Sequence, residues 1–181
     1  MNKARLEAFT DAIVAIVVTI LVLELPKPET YTLEGLVSNW QSYIVYVGTF
    51  LVLVGVWYQH HNLFESAKNI NRKVFWVNTI WLLIQSFIPY VTSWITEFPG
   101  KQTPVIVFLV LNMLWALSYR MLYYSLREIN EMPEYPWSRT FSYVLILTVL
   151  LLIALWNITL AMVGLVLFNA IGLIVGRDLE N

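Results

Sequence analysis

From Phe141 to Val175 the chain runs for 35 residues without one charged side chain. Drawn as a single helix, that stretch would be about 52 Å long, against a bilayer hydrocarbon core of about 30 Å. Two short spans joined by a tight turn near Trp156–Asn157 fit the core; one tilted helix is the alternative. A water-soluble domain of 181 residues has no interior large enough for a chain that is 59% hydrophobic. Only 13% of the residues are charged, against about 25% in soluble domains. The fold class is therefore all-α and polytopic, with no polar segment long enough to fold on its own. There is no cysteine, so disulfides and thiolate metal sites are excluded.

Spans of about 20 apolar residues are expected at 5–25, 41–63, 74–95, 104–124, 140–156 and 158–175. Together they form one six-helix domain over 1–181. Glu24, Pro26 and Pro28 stop the first span. The loop behind it has room for a short interfacial helix starting near Thr32. Pro99, Gly100 and Pro104 separate the third span from the fourth. The first apolar run lacks a small-residue cleavage site after it, so a removable signal peptide is not expected. Trp40, Trp94, Tyr124 and Trp137 fall near span ends, where interfacial aromatics belong. No internal repeat divides the spans into two similar halves, which argues against an inverted-repeat transporter.

With both termini on one side, that side carries Lys3, Arg5, Lys68, Arg72, Lys73, Arg120, Arg127, Arg139 and Arg177. The other side carries only Lys27 and Lys101. The positive-inside rule then puts both termini in the cytoplasm, and an even number of spans agrees.

The first span is asymmetric. On an ideal helix Arg5, Phe9, Ala12, Ile20 and Leu23 lie within about 40° of Ile16, and Thr19 within about 60°. Asp11 lies roughly 140° away. A carboxylate facing lipid is costly, so one face is expected to line a pore or cavity while the other is held by protein. Asp11 is open to two readings. It is a first-turn acid favoured by the helix dipole, or a buried acid held by Arg5, Trp57, His60 and Asn78 at a similar depth. The aliphatic stripe likewise reads either as ordinary packing or as a pore wall.

His60 and His61 are adjacent and point to different sides of a helix, so they do not form a metal pair. No nucleophile–base set, phosphate loop or catalytic carboxylate pair is present, and neither an enzyme nor a bound cofactor is expected. The carbonyl-filter sequence T-V-G-Y-G is absent, so a pore here needs another device. A small proton-coupled transporter using Asp11 and His60 as a relay is the rival to a channel. Its midplane polar residues are few: Thr19, Gln85, Asn112 and Ser118.

Arg5-x-x-x-Phe9-Thr10-Asp11-x-x-x-x-Ile16 resembles the R-x-x-x-F-S-D-x-x-x-x-I motif of the transmembrane protein 175 potassium channel family. Trp57-x-x-His60-x-x-Leu63-Phe64, and Asn78 followed eleven residues on by Pro89, are similar to its second and third spans. Thr10 stands where the family has serine, which conserves the hydroxyl. The motifs cover the first half of the chain, and a single set of six spans resembles the prokaryotic members. The resemblance implies a homotetramer in the plasma membrane of a prokaryote, with the first helix of each subunit around a central pore. Ile16 would form a hydrophobic constriction, Ile20 and Leu23 would extend it, and Thr19 would add a hydroxyl layer. Arg5, Phe9, Thr10, Asp11, Trp57, His60 and Asn78 would hold that helix in place. Potassium, with other monovalent cations, would permeate as a leak with modest selectivity over sodium. No nucleic acid partner is implied.

Overall fold

The computed structural model describes residues 2–178, with side chains described as far as Asn169. Lys3–Ile20 forms α1, capped by the Asn2 side chain, which accepts from the Ala4 N–H at 3.0 Å. A 3-10 turn over Leu21–Glu24 carries it on before the proline-containing loop. The short α2, Leu33–Ser38, begins at Thr32, whose hydroxyl accepts from Gly35 N–H at 3.2 Å. Next come α3 over Trp40–Glu65, α4 over Arg72–Ser86 and α5 over Ile88–Glu97. The chain ends with α6 over Gln102–Arg127, α7 over Trp137–Ala154 and α8 over Ile158–Asp178.

The expected third span is broken in its middle. The helix stops at Phe87, and Pro89 sits in the first turn of α5. Proline has no N–H to give and is tolerated only there. At the other end of α5, Gly100 takes the left-handed conformation (φ +80) in the turn to α6. The long C-terminal apolar run also breaks, between α7 and α8. Asn157 makes the turn: its N–H donates to Ile153 O at 2.7 Å, and its side-chain oxygen accepts from Leu160 N–H at 3.0 Å.

Five segments are long and apolar enough to cross a membrane among the described residues: Lys3–Glu24, Trp40–Glu65, Arg72–Glu97, Gln102–Arg127 and Trp137–Ala154. Ile158–Asn169 is apolar but shorter, because the side chains beyond it lie outside the described residues. Arg177, counted above among the cytoplasmic cations, lies there too.

The packing order leaves α1 at the edge. Helices α3, α8, α7, α6 and the α4–α5 pair contact one another in succession, and α1 lies against α3, α4 and α5. The main core runs through all of them, with Trp81, Leu53, Phe108 and Leu147 at its centre. A second cluster of Leu6, Phe64, Val74 and Leu122 closes one end. Gly48 lets α3 approach α8 so closely that a Cβ there would collide with a Val166 methyl.

The first helix as a candidate pore face

The buried side of α1 is Leu6, Thr10, Val14 and Val17, followed by Leu21. These residues recur at helical spacing and form the stripe that packs on the bundle. The opposite stripe is bare. Ile16 is 56% exposed, Ile20 39% and Leu23 77%, and Arg5, Phe9 and Thr19 are exposed beside them. The Thr19 hydroxyl donates back into its own helix, 2.9 Å from Ala15 O and 3.0 Å from Ile16 O. Its oxygen keeps lone-pair capacity on the exposed side. A groove runs along this stripe between α1 and α5, with Ile16 and Ile20 on one wall and Pro89 and Tyr90 on the other. Glu24 and Glu97 line one end of it.

Two separate connections hold the other side of α1. The first is buried. Asn78 on α4 donates from Nδ2 to Thr10 Oγ1 at 2.8 Å, and its Oδ1 lies 2.8 Å from His60 Nε2 on α3. Asn78 Oδ1 can only accept, so the His60 nitrogen facing it is the donor. All three side chains are buried. The His60 ring is stacked between Phe64 and Trp81, with centroids 4.4 and 4.6 Å away. One polar side chain from each of three helices is thereby satisfied inside an apolar shell.

The second connection is at the surface of the subunit. Trp57 Nε1 on α3 donates to Asp11 Oδ1 at 2.9 Å. Asp11 is exposed on the single subunit, and of the partners weighed for it only Trp57 bonds to it. One residue is 100° of helix, and that step from the buried Thr10 carries Asp11 off the packed stripe. His60 and Asn78, expected as partners of Asp11, bond to each other and to Thr10 instead. Arg5 makes no ion pair with Asp11 or any other carboxylate among the described residues. Phe9 stands on the exposed face and not among the anchoring groups.

Arg120, counted among the cations of the cytoplasmic side, falls within the expected fourth span and is not a solvent-exposed charge. Arg120 is inside α6 and 3% exposed. Its Nη1 donates to Thr140 Oγ1 and its Nη2 to Tyr124 Oη, both at 2.7 Å, and its guanidinium lies 3.4 Å from the Trp137 ring centroid. The signal was present in the four-residue spacing of Arg120 and Tyr124 and the nearby Tyr135 and Trp137.

Residues 5–89 match the profile of the family described as "Endosomal/lysosomal potassium channel TMEM175". Over 122 residues, 67% of this chain, the sequence is 34% identical to a potassium channel of Chryseobacterium sp. (strain P1-3). It is 32% identical over 103 residues to one of Chamaesiphon minutus. The chain covers 64% and 51% of those two relatives. It is also 26% identical over 125 residues to the zebrafish (Danio rerio) protein named endosomal/lysosomal proton channel TMEM175, covering 24% of it. The fold is similar to the crystal structure of a lysosomal potassium-selective channel TMEM175 homolog from Chamaesiphon minutus. There the TM-score is 0.77 at 22% identity, covering 94% of this chain and 97% of that one. With the three motif segments inside the matched region and the bacterial relatives alongside, this chain is a multi-pass membrane protein that matches the TMEM175 family over residues 5–89.

Proposed function

We propose that four copies of this chain assemble with α1 around a common axis, as a potassium-permeable leak channel in a prokaryotic plasma membrane. Each copy crosses six times, α8 being the last crossing, and both termini are cytoplasmic. The observation that carries the reading is the split of α1 into a clamped face and a bare aliphatic face. The bare face makes no hydrogen bond to another helix among the described residues, whereas the opposite one is tied to both α3 and α4.

In the tetramer, Ile16 forms the constriction, Ile20 and Leu23 extend it, and Thr19 contributes a hydroxyl ring beside them. An aliphatic ring of this kind dewets when narrow and makes an ion shed water when open. Potassium holds its hydration shell less tightly than sodium, so the penalty favours potassium. With no carbonyl oxygens to replace the lost water, the preference stays modest. Glu24 and Glu97, at one end of the groove beside α1, raise the local cation concentration there.

The test is Ile16→Asn in planar bilayers under a potassium gradient. Larger unitary conductance and a loss of potassium preference over sodium are expected. Unchanged conductance and selectivity would remove Ile16 from the constriction.

The rival is a carrier with a relay from Asp11 to His60. The geometry weighs against it, since Asp11 is bonded to Trp57 and His60 to Asn78. Relatives named proton channels make proton flux worth recording in the same bilayers. Slow saturable flux coupled to protons, without unitary steps, would favour the carrier. Neither reading includes a catalytic role.

A further inference from the structure

A second cavity, of about 200 Å³, lies on the far side of the bundle from the exposed stripe of α1, between α3, α6, α7 and α8. Its mouth is lined by Tyr135, Arg139 and Thr140 at the start of α7. Arg139 is exposed and pairs with no carboxylate among the described residues. Behind Tyr135 lies Arg120, also without a carboxylate and with its Nε–H unpartnered. Two guanidiniums therefore flank one tyrosine, and among the described residues no acidic side chain lines the cavity. A buried cation without a counter-charge is unfavourable, so this end of the cavity is electrostatically suited to an anion.

Deeper in the cavity the chemistry changes. Arg120 is level with Thr140, to which it bonds, and Trp115 is five residues further into the membrane along α6, about 7 Å. The indole N–H groups of Trp115 and Trp81 and the Asn112 carbonyl have no hydrogen-bond partner, and all three residues line the cavity. Buried polar atoms are paired in the large majority of cases, so the two orphan indole donors facing one space mark it as suited to acceptor oxygens, while the Asn112 side-chain oxygen, itself an acceptor, calls for a donor. Ala116 lies beside Trp115, and beyond the indoles the wall is apolar, with Leu51 and Val52. Cation, then hydrogen-bond donors, then hydrocarbon is the order of layers in a glycerophospholipid read from phosphate to ester to acyl chain.

We infer that this cavity is a binding site for an anionic phospholipid of the cytoplasmic leaflet. The phosphate sits at Arg139 and Tyr135, the ester oxygens face the Trp81 and Trp115 indoles, and one acyl chain lies along α3 and α6. Basic pockets between membrane helices on the cytoplasmic side are suited to such headgroups. The site depends on the chain being embedded in a bilayer with the start of α7 cytoplasmic, and not on ion permeation.

Native mass spectrometry of the purified full chain tests this, with phosphatidylglycerol and phosphatidylcholine of identical acyl chains added in turn. The wild type should retain phosphatidylglycerol about fivefold better than phosphatidylcholine. Arg139→Gln, an exposed position, should bring the two to parity. Arg127→Gln, whose guanidinium pairs with Glu134 outside the cavity, should keep the preference. Ala116→Trp, which fills the cavity beside Trp115, should lower retention of the anionic lipid while Arg139 is intact. Millimolar inorganic phosphate should leave the lipid bound. Equal retention of both lipids by the wild type would overturn the site, as would an unchanged preference in Arg139→Gln or equal losses in both arginine variants. Displacement by inorganic phosphate would make it a site for free anions. Retention is read without any current, so a negative result leaves the conduction proposal standing, and a non-conducting protein leaves this one standing.

Discussion

Trp57 and Asp11 are 46 residues apart in the chain, and the indole N–H of one meets the carboxylate of the other at 2.9 Å. This is the outer of the two side-chain hydrogen-bonded connections described between α1 and the bundle, and the one at which a charge is held at the edge of the exposed face. Trp57→Phe keeps the ring and removes the donor. Hydrogen bonds to charged groups contribute about 1.5–3 kcal/mol when buried. Asp11 is exposed, so a loss of about 1 kcal/mol is expected. Thermal unfolding of the detergent-solubilised protein should fall by a few degrees, and Asp11→Asn should cost no more than Trp57→Phe.

The inner connection should cost more. Asn78→Leu leaves His60 Nε2 and Thr10 Oγ1 buried without a partner, and each unsatisfied group costs about 1–3 kcal/mol. Thr10→Ser, which retains the hydroxyl, should be close to neutral, whereas Thr10→Val strands Asn78 Nδ2. A double-mutant cycle between Thr10 and Asn78, read by thermal unfolding, should show clear coupling. Additive losses would mean that the 2.8 Å contact contributes little.

Gly48 is a point of close approach between α3 and α8. Any side chain there meets Val166 on α8, and overpacking of this kind typically costs about 1–3 kcal/mol. Gly48→Leu should destabilise the subunit, and Val166→Ala in the same chain should recover part of the loss. Absence of rescue would mean that the clash is relieved elsewhere.

Arg120 is held by shape as much as by charge. Its flat guanidinium lies over Trp137 while its two terminal nitrogens reach Thr140 and Tyr124. Lysine carries the same charge without the planar fork. Arg120→Lys should therefore lower stability by about 1–3 kcal/mol, measured by thermal unfolding. A Trp137→Leu background should shrink that difference.

Much of this was legible along the chain because it is local. Apolar runs of fixed length, the prolines at 26, 28, 89 and 99, and the 100° step of a helix depend only on neighbouring residues. They were enough to mark the break near Asn157 and to put Ile16, Ile20 and Leu23 on one stripe of α1, whereas the third span was expected to run unbroken through Pro89. The Thr32 start of α2 was readable for the same reason. Which polar groups meet is a different matter. Thr10 and Asn78 are 68 residues apart, and no periodicity says that they touch.

Adjacent in sequence and alike in polarity, Thr10 and Asp11 went to different environments, one buried and one exposed, because α3 and α4 cover only part of the circumference of α1. Arg120 went inward for a comparable reason: α7 brought Trp137 and Thr140 across from it, a contact made only once the loop between had folded back. The amino-acid order by itself determined the helices, their breaks and the two faces of the first one. Tertiary packing alone decided which side chains became partners, since that depends on how rigid helices come to lie against one another across long stretches of chain.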